Sequence, residues 1–328
     1  MSLIRFFQRH RVAIFGLYVA LAIVYLGFFG RAFMEAWTYP DWLIAPIMAF
    51  GSFVAGSTFL GGGAVAFPAL TKMFAVDPVT AKSFSLAIQA VGMSSASLYI
   101  LSRVRNLPFS FMALYLVGAS IGLFVSFAFI EARVPAVDLR IAFTLFLLCF
   151  LVMYLFTRHS HNVSVEAHLE RTYRDVLVTL FGGALGGLLA GLLGSGADVV
   201  GFSLLALYFR IEIIRATQVS VILMAATSVI GLGFKALFFG GVGQHVFDLW
   251  VLAAPVVLFG APLGAALCRR IPSNLLLGFI CLIVLAEVTS TIILVPIDSN
   301  RVFIYGLAVA VSLLILSFIA YLATHKHD

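Results

Sequence analysis

The sequence predicts an all-α polytopic membrane protein of two inverted repeats, each a glycine-broken or re-entrant helical element plus three spans, flanked by a first and a last transmembrane helix. Three observations carry that expectation. Of 328 residues, 62% are hydrophobic and 10% charged; the apolar residues gather into ten long runs; and one half of the chain repeats the other. A soluble domain carries about a quarter of its residues as charges, so the solvent this composition suits is hydrocarbon.

The runs follow in order. Uncharged stretches cover 12–30, 42–71, 83–102, 106–130, 141–157, 216–234, 249–268 and 302–324, against the roughly 20 apolar residues that a helix needs to cross a bilayer. Two further runs carry one acid each: 176–209 with Asp198 and 271–297 with Glu287. The chain therefore divides into a basic segment and first helix (1–40), a first repeat (41–157), a polar loop (158–175), a second repeat (176–297), and a last helix with its tail (298–328). Arg5, Arg9 and Arg11 precede the first run, but no small-x-small cleavage site follows it, so it reads as a retained span. The polar loop is too short for a folded domain. Its His159, His161 and His168 match no metal-site spacing. Cys149, Cys268 and Cys281 sit in apolar runs as packing residues, not as metal ligands. No protease, hydrolase or nucleotide-binding motif occurs, which argues against an enzyme and gives no reason to expect a cofactor. The net charge of +6 collects at span ends, where topology and lipid headgroups account for it without nucleic acid.

Self-comparison at a shift of 133 lays LGGGA (60–64) over LGSGA (193–197) and pairs Lys82 with Arg215, Ser94 with Thr227 and Ser95 with Ser228. At 142, Gly118, Ala119 and Gly122 fall on Gly260, Ala261 and Gly264; at 137, Arg133 and Pro135 fall on Arg270 and Pro272. An ordered succession of this kind indicates duplication.

The first element of each unit is the unusual one. As one helix, 42–71 would measure about 45 Å against a core of about 30 Å. Gly61, Gly62, Gly63 and Pro68 interrupt it, and glycine costs a helix about 1 kcal/mol and proline about 3. A break is expected near 61–68 and again near 194–201. If each element enters and leaves on one side, every repeat keeps three crossings and the two repeats are inverted. With the N-terminus inside, thirteen Lys/Arg then face the cytoplasm and seven the outside, against twelve and eight if the broken elements cross fully; both obey the positive-inside rule, and the count favours the inverted arrangement by a small margin. Both termini and the polar loop are expected in the cytoplasm.

Backbone polar groups freed by a break cannot face lipid, so a break at depth implies a protein-lined cavity. Glycine amides at a helix start suit an anion. Candidate binding residues are Gly61, Gly62, Gly63, Pro68, Gly194, Ser195 and Gly196 in the breaks. The following helices add Ser83, Ser85, Gln89, Ser94 and Ser95, and then Thr217, Gln218, Ser220, Thr227 and Ser228. Small polar residues also serve simply to let membrane helices pack closely. Lys82 and Arg215 either attract an anion to the two mouths or snorkel to headgroups. Asp198 and Glu287 need a partner, a wet cavity or a proton. Asp198 is the better candidate for proton coupling, with an ion pair to Lys235 or Lys82 as the plain alternative.

FLGGGAVAFPAL and its degenerate copy LLGSGADVVGFSLL, each followed by a Ser/Thr-bearing span, resemble the TauE/SafE family of sulfite and organosulfonate exporters over roughly 45–295. The GGG-x4-P arrangement is the most specific part. The resemblance implies a multi-pass protein of a bacterial inner membrane that exports a small anion such as sulfite or sulfoacetate, with Gly61, Gly62, Gly63, Pro68, Gly194 and Gly196 at the site. The second repeat departs from the pattern: Ser195 replaces the middle glycine, Asp198 intrudes, and Gly201 stands for the proline. The expected mechanism is alternating access with the anion between the two breaks. The expected partners are that anion and the bilayer, with a homo-oligomer left open. A passive anion channel of the same architecture is the alternative, followed by a membrane scaffold or enzyme.

Overall fold

In the computed structural model the described residues are 11–36, 40–62, 65–66, 69–74, 76–131, 133, 135–157, 172–294 and scattered positions between 302 and 317. The expectations for residues 1–10, for most of the polar loop with its three histidines, and for most of the last helix lie outside them. Ten helices follow in order: α1 (Arg11–Ala36), α2 (Ile44–Ser57), α3 (Pro78–Arg103), α4 (Phe109–Val125), α5 (Ala136–Thr157), α6 (Tyr173–Leu193), α7 (Ala197–Ser203), α8 (Ile213–Phe238), α9 (Gln244–Cys268) and α10 (Ser273–Leu294). No strand forms among the described residues.

Seven helices among the described residues are long and apolar enough to cross a membrane. Their outward faces carry large apolar side chains such as Phe28 (80% exposed), Leu237 (77%) and Phe181 (69%). Water would penalise such a surface and acyl chains accept it. The charges at the helix ends still do local work. Asp77 caps α3, its Oδ1 accepting from the Val79 and Thr80 amides at 3.0 Å each, with Pro78 supplying a preset first turn.

Both awkward elements are broken. α2 stops at Ser57, three residues before the glycine run, because Thr58 turns extended and both its amide and its hydroxyl bond the Val54 carbonyl. The chain re-enters helical turns at 65–66 and at Ala69–Met73. α6 stops at Gly194, and α7 continues into a π-helical turn over Leu204–Tyr208. The two elements differ in length: α2 has 14 residues, whereas α6 has 21 and is itself long enough to span. After the break the second element doubles back. A Cβ on Gly182 would run into Leu204, and the Tyr208 hydroxyl donates to Asp175 Oδ1 at 2.7 Å, so residues 175 and 208 finish side by side.

Glycines set the closest packing. A Cβ on Gly118 or Gly122 of α4 would collide with the Leu180 or Ala184 carbonyl of α6. On α9 the matching Gly264 would collide with the Phe53 carbonyl of α2, and Gly260 with the Ser52 hydroxyl. The glycines that coincide at the shift of 142 are thus the ones that lay each third helix, backbone to backbone, on the broken element of the other unit.

Candidate functional site

At the second break, Gly194 ends α6 at φ +74, a conformation that glycine adopts without a Cβ penalty. Its carbonyl turns away from the helix axis toward α3, where Ser85 Oγ donates at 3.1 Å and Gln89 Nε2 at 2.6 Å. A Cβ here would sit 2.5 Å from the Lys82 carbonyl oxygen, so no larger residue fits without moving α3. Gly196 (φ +125) starts α7. The amides exposed at that start do not face a void: Asp198 Oδ1 accepts from Gly196 at 3.2 Å and from Val199 at 3.0 Å. The carboxylate two residues into the sequence thereby occupies the place an external anion would take. Tyr115 of α4 fixes the same turn, its hydroxyl donating to the Ala197 carbonyl at 2.6 Å.

The first break arrives at this point from the other unit. Gly61 (φ +65) lies so near the second break that a Cβ on it would overlap Asp198 Oδ2 and approach Gln89 Oε1 to 3.0 Å. These two oxygens are buried and have no hydrogen-bond partner. Gln89 is therefore a bridge, its amide nitrogen on the Gly194 carbonyl and its oxygen facing the first break. Behind the two tips, Phe59 stacks on Phe202 at 3.9 Å, and Phe150 stands edge-on to both. A cavity of about 10 Å³ beside Gly62 and Gln89, on the side of α2 and α9, has room for about one water.

One helical turn before Ser85, Lys82 is 4% exposed and pairs with Glu131 Oε1 at 2.6 Å. Lys235 of α8, 7% exposed, reaches the same oxygen at 3.3 Å and donates to Ser83 Oγ at 2.9 Å. Its ammonium also lies 5.2 Å over the Phe127 ring, a favourable cation–π position. Both lysines thus pair with Glu131, and the ion pair with Asp198 that stood as the plain alternative to proton coupling is not the one they make.

The structure brings Lys82, Ser83, Ser85, Gln89, Gly61, Gly62, Gly194, Gly196 and Asp198 into one neighbourhood, with Ser195 buried in the second turn. Gly63 and Pro68 lie outside the described residues. Ser94 and Ser95 line a different space, an apolar crevice of about 430 Å³ between α1, α3 and α9, where the Tyr18 hydroxyl holds the Ser95 carbonyl. On α8, Gln218, Thr227 and Ser228 are buried, and the hydroxyls of Thr227 and Ser228 have no hydrogen-bond partner. Thr217 and Ser220 bond their own helix backbone. Arg215 donates to the Arg105 carbonyl at 2.6 Å, tying α8 to the loop after α3. Glu287 accepts from Thr291 on α10. The residues that sequence reasoning left out of the site are Tyr115, Glu131 and Lys235. The last two had marked the ends of apolar runs, and their separation in sequence carries no periodic signal.

The family model of the sulfite exporter TauE/SafE matches residues 43–290 of this chain. The chain belongs to the TauE/SafE family. That makes it a multi-pass membrane protein of a transporter family associated with sulfite- and sulfonate-like anions. No curated protein and no solved structure matches it. In this TauE/SafE chain the matched region runs from the start of α2 to within α10 and takes in both breaks.

Proposed function

We propose that this protein is a secondary transporter that exports sulfite or an organosulfonate such as sulfoacetate across a bacterial inner membrane, with both termini cytoplasmic. It works by alternating access between two inverted repeats, and the anion binds between the two breaks. The observation that carries this reading is the meeting of Gly61 with Asp198 and Gln89: two helix interruptions from different units, touching inside an apolar bundle. The doubling back of residues 173–208 and the reciprocal seating of α4 on α6 and α9 on α2 support the inverted arrangement.

Asp198 has a defined part in this scheme. Its carboxylate occupies the Gly196 and Val199 amides, so an incoming anion must displace it. An ionised carboxylate turned into the apolar seam is costly, whereas a protonated one is not. Taking up a proton therefore frees the amides, and proton and anion load together. Gln89 Oε1, unpartnered and facing Oδ2, is placed to accept the hydrogen bond of the protonated acid.

Sulfite flux into proteoliposomes under an imposed pH gradient tests this. Accumulation above equilibrium is expected, and mere equilibration would instead identify a passive channel. Because the loading step consumes a proton, flux should fall as the pH on the loading side rises, and Asp198→Asn should flatten that profile. An unchanged profile in Asp198→Asn removes the coupling role.

A further inference from the structure

Lys82 and Lys235, both buried, and Glu131, part-buried, form a cluster with two positive charges and one negative. Both ammonium groups contact the same carboxylate oxygen, at 2.6 and 3.3 Å, which places the two nitrogens within about 6 Å of each other. Burying an unbalanced cation costs several kcal/mol, and a cluster serving structure alone would be balanced by a single lysine. The second cation thus calls for a second anion. Ser83 accepts from Lys235 and donates to the Val79 carbonyl, so it aims the lysine; with a second Nζ proton on Glu131, a third is left for another oxygen. The cluster also adjoins the second break directly, because the Lys82 backbone lies against Gly194.

We propose that Lys82 and Lys235 form an oxyanion-binding site beside the second break, and that Glu131 is its resident occupant, giving way to the sulfite or sulfonate group when substrate arrives. This rests on the transport reading above and adds a station to it. Two ammonium groups around one oxygen match a compact oxyanion with one or two negative charges. A tethered carboxylate keeps the lysines apart from each other's field when no substrate is bound. The lysine stems allow the heads to follow the substrate's oxygens, which the fixed fork of an arginine would not.

The test is equilibrium binding of sulfite to the purified full chain by calorimetry, alongside thermal unfolding with and without sulfite. Removing the competitor in Glu131→Gln should tighten sulfite binding by roughly tenfold, the weight of one charge-assisted hydrogen bond. It should also make thermal stability depend on sulfite more steeply than in the wild type. Lys235→Gln should weaken binding. If Glu131→Gln does not yield folded protein, the pair Lys235→Gln and Lys235→Gln/Glu131→Gln replaces it, and the double variant should bind more tightly of the two. Equal or weaker binding once Glu131 is removed overturns the resident role. If that result comes with normal sulfite flux in the wild type, this inference falls and the transport reading stands. A wild type that neither binds nor moves sulfite, sulfonates or any other small anion overturns both.

Discussion

The two broken elements share a plan and differ in charge. Each carries a glycine with positive φ in its break, Gly61 at +65 and Gly194 at +74, although only α6 ends directly in that glycine while α2 ends at Ser57, and each is clasped by a glycine-bearing helix of the other unit. Yet the ionisable groups stand on one side of the comparison. Asp198 corresponds to Val65 in the first copy at the shift of 133, and Lys235 to Ser102. Lys82 has a basic counterpart in Arg215, but that guanidinium holds a loop carbonyl and Lys82 the part-buried carboxylate of Glu131. Glu131 falls on Ser273 or Cys268, depending on the shift, and neither is acidic. The two copies thus share a backbone plan, whereas Asp198, Lys82, Lys235 and Glu131 gather around the second break.

The largest effect should come from what the copies share. Gly61→Val and Gly194→Val should each lower sulfite flux on the order of a hundredfold per folded molecule, as an ångström of misplacement at a working site does. In both, a side chain would enter space held by another unit, at Asp198 in one case and at the Lys82 backbone in the other. Proteoliposome flux checks this, and a normal rate in either variant would exempt that break. A medium effect should separate the copies: Lys82→Gln should weaken sulfite binding roughly tenfold, while Arg215→Gln leaves it within about twofold. Equal losses would restore a symmetric site. The smallest effect concerns the helix starts. Asp77 caps α3 through its side chain, whereas Glu212, at the start of α8, makes no such bond. Asp77→Ala should cost about 1 kcal/mol in detergent unfolding experiments and Glu212→Ala close to nothing. The Thr80 hydroxyl and amide, with help from the Val79 amide, hold the Asp77 carboxyl below its ordinary range. Its contribution is therefore complete above that range and lost as acid brings the pH down through the lowered value; the alanine variant should lack that acid-sensitive portion.

Much of this was legible in the sequence. The first nine apolar runs foretold the helices among the described residues, because hydrocarbon tolerates little else. The glycine clusters foretold the breaks, and the glycines matched at the shift of 142 are those that set the closest helix contacts. The end of α2 came earlier than expected because the Thr58 hydroxyl competes for the Val54 carbonyl, a local bond that glycine counting does not register. The capping of α7 by Asp198 could have been read from its position just after Gly196, by the logic applied to soluble helices. The Lys82, Glu131 and Lys235 cluster could not: three charges, each near the end of its own apolar run, look the same whether they face headgroups or one another.

The seating of α4 on α6 and of α9 on α2 has a mechanical corollary. With peptide groups in direct contact at Gly118, Gly122 and Gly264, each couple resists shear as one stiff strut. Compliance is left to seams cushioned by larger groups, such as the flat face shared by Phe59 and Phe202, where rings can glide over one another more cheaply than they can part.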